Sequence, residues 1–192
     1  PLAIRASRNY DIYKRMKKES ESVMFSKRVP VFTLFGFDVK IDMSWFVLAV
    51  LIAWSLAKGF FPHYYENLTN LAYWWMGIVG ALILFFSIVF HELSHSLVAR
   101  KFGLPMKGIT LFIFGGVAEM EKEPESARTE FLMAIAGPAS SVVLALIFYL
   151  LHNAAEAAKA GTALVGVLHY AYWVNAILAI FNLLPAFPLD GG

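Results

Sequence analysis

The chain contains no cysteine, which excludes a disulfide framework and thiolate metal ligation alike. Any metal must then be held by histidine and carboxylate. Charge is also scarce: Asp, Glu, Lys and Arg make up only 16% of the 192 residues, against about a quarter in a soluble domain. The net charge of +2 is too small to point to nucleic acid, and the basic residues form no patch interleaved with aromatics. A cleavable signal peptide is not legible either, because the first long apolar run begins deep in the chain and lacks a small-residue cleavage site. No internal repeat or low-complexity tract is evident. What the chain has in excess is hydrophobicity, with 59% hydrophobic residues and a mean hydropathy of +0.62.

That hydrophobicity is gathered into four runs, each near the roughly 20 residues that cross a bilayer as a helix. They cover about 43–61, 71–99, 131–151 and 163–184. Lys and Arg cluster at the ends of these runs. Arg5, Arg8, Lys14, Arg15, Lys17, Lys18, Lys27, Arg28 and Lys40 precede the first, and Arg100, Lys101, Lys107, Lys122 and Arg128 lie between the second and third. The opposite side has only Lys58 and Lys159. Fourteen against two places the N-terminus and the middle loop in the cytoplasm. The expected fold is a mainly α, polytopic membrane bundle of four spans with small interfacial β-hairpins. One hairpin runs from Ile109 to Phe114, turns at Gly115-Gly116 and returns over Val117 to Met120. A second is read from Val31 to Asp42, interrupted at Gly36. The edges of so small a sheet either receive an extended peptide or brace the bundle, and the sequence does not choose between the two.

Within the second run lies His91-Glu92-Leu93-Ser94-His95. Ionisable groups at membrane depth are costly and mark function. Histidines four apart share one helix face, and a glutamate beside them can take a proton from an attacking water. This reads as a zinc hydrolase with its site inside the bilayer. The second run heads inward, so His91 lies nine residues before Arg100, roughly 13 Å at helical rise. The fourth run also heads inward and finishes near Asp190. Two histidines under-coordinate zinc, and Asp190 is the best third ligand, the alternative being a plain helix-end carboxylate. Pro185 and Pro188 end the fourth helix ahead of it, and Gly191-Gly192 follow.

His91-Glu92-x-x-His95 followed by Asn182-x-x-Pro185-x-x-Pro188-Leu189-Asp190-Gly191 resembles the site-2 protease family of intramembrane zinc metalloproteases. The resemblance runs from Met24 onward and includes Gly115-Gly116, the small-residue run Gly137-Pro138-Ala139-Ser140-Ser141, and Asn175 with Asn182. It implies Zn2+ held by His91, His95 and Asp190, with Glu92 as general base. It also implies a membrane-protein substrate cut in or near its transmembrane segment, commonly with release of a membrane-held regulator. The implied setting is a multi-pass protein in the lipid bilayer of a bacterial or archaeal cell, N-terminus cytoplasmic. Residues 1–23 are then expected to be a basic extension, either cytoplasmic or non-native, and 24–192 a membrane-embedded protease core expected to be truncated at the C-terminus, since members usually continue past the Asp190 position. Asn182 is the candidate for oxyanion or substrate contact, the alternative being an interhelical hydrogen bond. Asn175, seven residues earlier on the same face, is a lesser candidate.

Blander roles are expected elsewhere. His63, His152 and His169 read as snorkelling side chains near the outer interface. Glu119, Glu121, Glu123, Glu125 and Glu130 read as a solvated loop face. Trp45, Trp54, Trp74, Trp75, Tyr64, Tyr65, Tyr73 and Trp173 read as interface anchors and core, and Gly77, Gly80 and Ala81 as a close helix contact. Two rival functions stand beside the protease. A prenyl-processing zinc protease needs a glutamate as third ligand, and none follows His95 within a span. A non-proteolytic membrane metal-binding protein or transporter needs a polar path that spans one and three lack. The sequence does not set the oligomeric state.

Overall fold

The computed structural model describes residues 28–34, 36–104, 106–112, 115–120 and 126–184. The basic extension at 1–23 and the segment 185–192 with Asp190 lie outside the described residues, as do Glu121, Glu123 and Glu125. Strands β1 (Arg28–Leu34) and β2 (Phe37–Asp42) form an antiparallel hairpin around Gly36, whose φ of 84° suits a residue without a side chain. Asp42 ends β2 and caps helix α1 (Met43–Ser55), its carboxylate accepting from Ser44 N at 2.9 Å. A π-helical turn, Leu56–Phe60, carries the chain into the short α2 (Phe61–Tyr64). Helix α3 (Asn70–Lys101) follows, capped by the Thr69 hydroxyl, and then come β3 (Met106–Phe112) and β4 (Gly115–Met120). Helices α4 (Ala127–Ala157) and α5 (Thr162–Asn182) complete the described chain.

Four helical stretches are long and apolar enough to cross a membrane: Ser44–Tyr64, Asn70–Lys101, Ala127–Ala157 and Thr162–Asn182. All four were expected from the runs of hydrophobic residues. At 32 residues α3 is about 48 Å long, more than the ~30 Å hydrocarbon layer, so it projects beyond it. Large apolar side chains such as Val50, Trp75, Leu82 and Leu150 face outward, as lipid permits. Ser87, Ser96, Ser141 and Asn175 are fully buried. Small and polar residues packed inside beside apolar ones such as Phe61 and Met76, with apolar side chains also covering the outside, is the pattern of helices held by close approach and hydrogen bonds.

The expected small-residue contact is where α1 meets α3. A Cβ on Gly77 would lie 2.5 Å from the Ala53 carbonyl oxygen and 2.8 Å from Ala57 Cβ. Gly80 faces Leu56, and Ala81 is buried beside it in the chain.

The two hairpins are not separate. They join into one sheet of order β1-β2-β3-β4, with β2 and β3 parallel from Asp38↔Gly108 to Ile41↔Leu111. The spans explain this: α1 leaves the membrane face that carries β2 and α3 returns to it, so β3 arrives ready to run beside β2. The approach at Gly108 is close, since a Cβ there would come 2.5 Å from the Asp38 carbonyl oxygen. Gly115 and Gly116, read from the sequence as the turn, are the first residues of β4, paired with Phe112 and Leu111. Along β2, Phe37, Val39 and Ile41 are buried while Asp38 is exposed, a period of two. Phe37 and Ile41 pack with Leu93, Ile88, Val89 and Leu97 of α3, so the sheet covers the stretch of α3 that carries the histidines.

Candidate metal centre

His91 and His95 sit one turn apart on the face of α3 that meets α4, their ring centroids 4.9 Å apart. Each ring is held by its Nδ1. His95 Nδ1 lies 2.6 Å from the Met133 carbonyl. A carbonyl only accepts, so Nδ1 carries the hydrogen and Nε2 the lone pair. His91 Nδ1 lies 2.9 Å from Ser141 Oγ, which sets that ring the same way round when the hydroxyl accepts. The two Nε2 atoms then meet beside Gly137. A point one bond from the Gly137 Cα is 2.5 Å from His91 Nε2, and His95 Nε2 lies closer to it still.

The local sequence of α4 builds this receptacle. Met133, Gly137 and Ser141 recur at intervals of four and therefore share one helix face. Antiparallel to α3, that face presents a carbonyl to His95, bare backbone to both Nε2 atoms and a hydroxyl to His91. Pro138 lacks an amide hydrogen, so the Ala134 carbonyl loses its helical donor on this same turn. Two imidazoles aimed at one point, with their other nitrogens tied to a protein carbonyl and a hydroxyl, match the ligand and supporting-shell chemistry of zinc, whose Zn–N distance is about 2.0–2.1 Å. The residues present therefore fit the metal.

The other expected site residues fall differently. Glu92 is half-buried and about 100° round the helix from His91. Among the described residues no three His, Asp or Glu side chains are placed so as to hold a metal ion, and Asp190 lies outside them. Asn182 ends α5 with its Nδ2 donating to the Leu178 carbonyl of its own helix at 2.9 Å. Asn175 makes the interhelical bond instead. Its Nδ2 donates to Ser87 Oγ, one turn before His91, and to the Ala171 carbonyl, both at 2.9 Å. Its Oδ1 is buried without a hydrogen-bond partner among the described residues. The roles of Ser141, Gly137 and the Met133 carbonyl were not read from the sequence. The spacing of four was there to find, but it has meaning only once α4 lies against α3.

A sequence model of peptidase family M50 matches residues 79–155 and 150–192. A putative zinc metalloprotease of Synechocystis sp. is 40% identical over 169 residues, which cover 87% of this chain and 43% of that protein. Another, from Mycobacterium tuberculosis, is 35% identical over 164 residues, 85% of this chain and 42% of that one. The chain thus spans less than half the length of these curated relatives. Among solved structures, the site-2 protease from Methanocaldococcus jannaschii aligns with a TM-score of 0.59 and 27% identity, over 86% of this chain and 68% of that one.

Proposed function

The chain belongs to peptidase family M50 and to its site-2 type, and from that membership we propose that it hydrolyses a peptide bond in or near the transmembrane segment of a membrane-protein substrate. The observation that carries this reading is the meeting of His91 and His95 Nε2 beside Gly137, inside a helix long and apolar enough to span the bilayer. His91, His95 and Asp190 would hold the zinc, which when bound supplies Lewis acidity and a readily ionised water. Glu92 takes the proton of the attacking water as its oxygen bonds the scissile carbonyl carbon, and hands that proton to the departing amine. Ser141 and the Met133 carbonyl keep both imidazoles with Nε2 forward. Asn182, on leaving Leu178, donates Nδ2 to the oxygen on which negative charge develops.

The protein is integral to a membrane. The distribution of Lys and Arg supports a cytoplasmic N-terminus, with the sheet and the nearer end of α3 on that side. Bacterial and archaeal relatives support the cell membrane of such an organism as its location. Release of a membrane-held regulator is the outcome such a cut would have.

The test is cleavage of a panel of single-span substrates by protein in lipid, with and without Glu92→Gln. Loss of a general base lowers the rate by about 10²–10⁴-fold, while about one zinc per chain remains bound. His91→Ala loses both metal and cleavage. Cleavage by Glu92→Gln at the parental rate removes Glu92 from this role. A zinc-loaded protein that cuts no member of the panel favours the non-proteolytic metal protein.

A further inference from the structure

At the end of the bundle away from the sheet, α4, α5 and the loop after α2 meet around His169. The sequence predicts snorkelling side chains for His152 and His169, but the structure builds both into a bonded cluster. Trp173 Nε1 donates to His169 Nε2 at 2.9 Å. An indole N–H can only donate, so this ring is neutral and its hydrogen is on Nδ1. His169 Nδ1 lies 2.7 Å from Tyr65 Oη and donates to it. Tyr65 is the first residue after α2 and is held at two further points. Its ring covers Gly166, where a Cβ would come 3.0 Å from Tyr65 Cε2. Its carbonyl accepts from Tyr73 Oη at 2.6 Å.

The titratable groups facing His169 are Tyr65 from the loop, His152 and Glu156 from α4, and Tyr172 on α5 itself. His152 stacks on His169 with centroids 5.0 Å apart and planes at 19°. Its Nδ1 is 3.3 Å from the Val165 carbonyl and its Nε2 3.7 Å from the exposed Glu156 carboxylate. Both of those partners accept, so a neutral His152 can donate to one of them and a protonated His152 to both. Burial, and then the charge of Glu156, push the Tyr65 phenol above its ordinary value, which keeps its hydroxyl protonated.

We propose that His169 is an acid-sensitive latch that pins the loop between α2 and α3 onto α5. Proton uptake places a hydrogen on Nε2, which then faces the Trp173 N–H donor to donor. The ring must swing away, and the swing takes Nδ1 off Tyr65. The stacked His152 opposes the same charge when it is itself protonated. The neutral ring makes the bridge, so the latch holds at higher pH and opens as pH falls. Opening frees the outer end of the rod formed by α1 and α2, which otherwise reaches α5 through Phe60 and Phe61 on Tyr170, at 5.5 and 5.8 Å between centroids. The cluster is at the end remote from the histidine pair, so the proposal stands independently of the proteolytic reading.

The absence of cysteine makes the test direct. Spin labels at Glu66→Cys in the loop and Leu164→Cys on α5, both exposed, report the loop-to-helix distance in lipid nanodiscs. One narrow distribution is expected at about pH 7.5, with a second, longer population appearing reversibly by about pH 5, the range over which histidine changes charge. In His169→Gln a carbonyl accepts from Trp173 and an amide donates to Tyr65 at every pH, so the narrow distribution persists at both. Trp173→Phe removes the opposing N–H, and the acid response disappears there too. An unchanged distribution in the labelled parent overturns the latch, whatever the variants do. An acid response that survives intact in His169→Gln also overturns it and transfers the effect to His152 or Glu156.

Discussion

Gly137 lets two imidazoles from one helix reach the same point on the surface of another. Any side chain there would occupy the space that both Nε2 atoms share, because its Cβ would sit 2.5 Å from one and nearer the other. Gly137→Ala should therefore displace both rings. Zinc should fall from about one per chain to near zero, measured by metal analysis, with proteolysis lost alongside. Retention of full zinc in this variant would show that the metal is held elsewhere. Ser141→Ala is the milder experiment, since it removes only the hydroxyl that holds His91 Nδ1. Supporting-shell changes of this kind cost about 10–100-fold in metal affinity, which competition with a chelator measures, and Ser141→Thr should restore most of it. His95 offers no equivalent, because its acceptor is the Met133 backbone. The histidine pair was legible in the sequence because ionisable residues are so rare in an apolar run. Gly137 and Ser141 were not, because a glycine and a serine at spacing four are commonplace until the facing helix gives them a task.

At the scale of elements, the spans were legible because lipid leaves a chain few options. Backbone polar groups must pair within the segment, so a long apolar run becomes a helix whatever its neighbours do. The sheet was only half legible. Each hairpin is local, but the parallel register of β2 on β3 joins segments separated by both α1 and α3 and follows from their return to one face. The contact between α1 and α3 is the element-level feature most open to a mutational test. A Cβ at Gly77 meets the Ala53 backbone oxygen at 2.5 Å, which cannot yield unless α1 moves. A Cβ at Gly80 meets the far end of the Leu56 side chain at 3.0 Å, which can rotate, and the Tyr170 ring at 3.3 Å, which need give by only a few tenths of an ångström. Overpacking costs about 1–3 kcal/mol where the surroundings are rigid. Gly77→Ala should lower the thermal midpoint in detergent clearly, and Gly80→Ala little or not at all. Equal midpoints in the two variants would mean that α1 is not seated on α3 through Gly77.

For the molecule as a whole, depth is the quantity that the fold would impose on a substrate of the proposed cleavage. His91 and His95 lie ten and six residues before Lys101, the last residue of α3, or about 15 and 9 Å at helical rise. The bundle holds them there through α4 on one side and the sheet on the other, so in the proposed reaction the scissile bond would have to come to that level. A peptide bond inside a helix has its carbonyl engaged by the amide four residues on, and in the proposed reaction it would have to be unwound before Glu92 and its water could reach the carbonyl carbon. Unwinding is easiest where the helix is weakest, and two glycines weaken it by about 2 kcal/mol relative to alanines. A single-span substrate with a Gly-Gly pair walked along its helix should therefore be cut fastest when the pair lies about six to ten residues from the cytoplasmic boundary. Moving the pair two turns toward the other face should slow cleavage by about tenfold or more. Mass spectrometry of the products should place the cut at the same depth throughout the series. If the cut instead travels with the glycines across the whole span, the position of the histidine pair along α3 does not set the site of cleavage, and the substrate alone does.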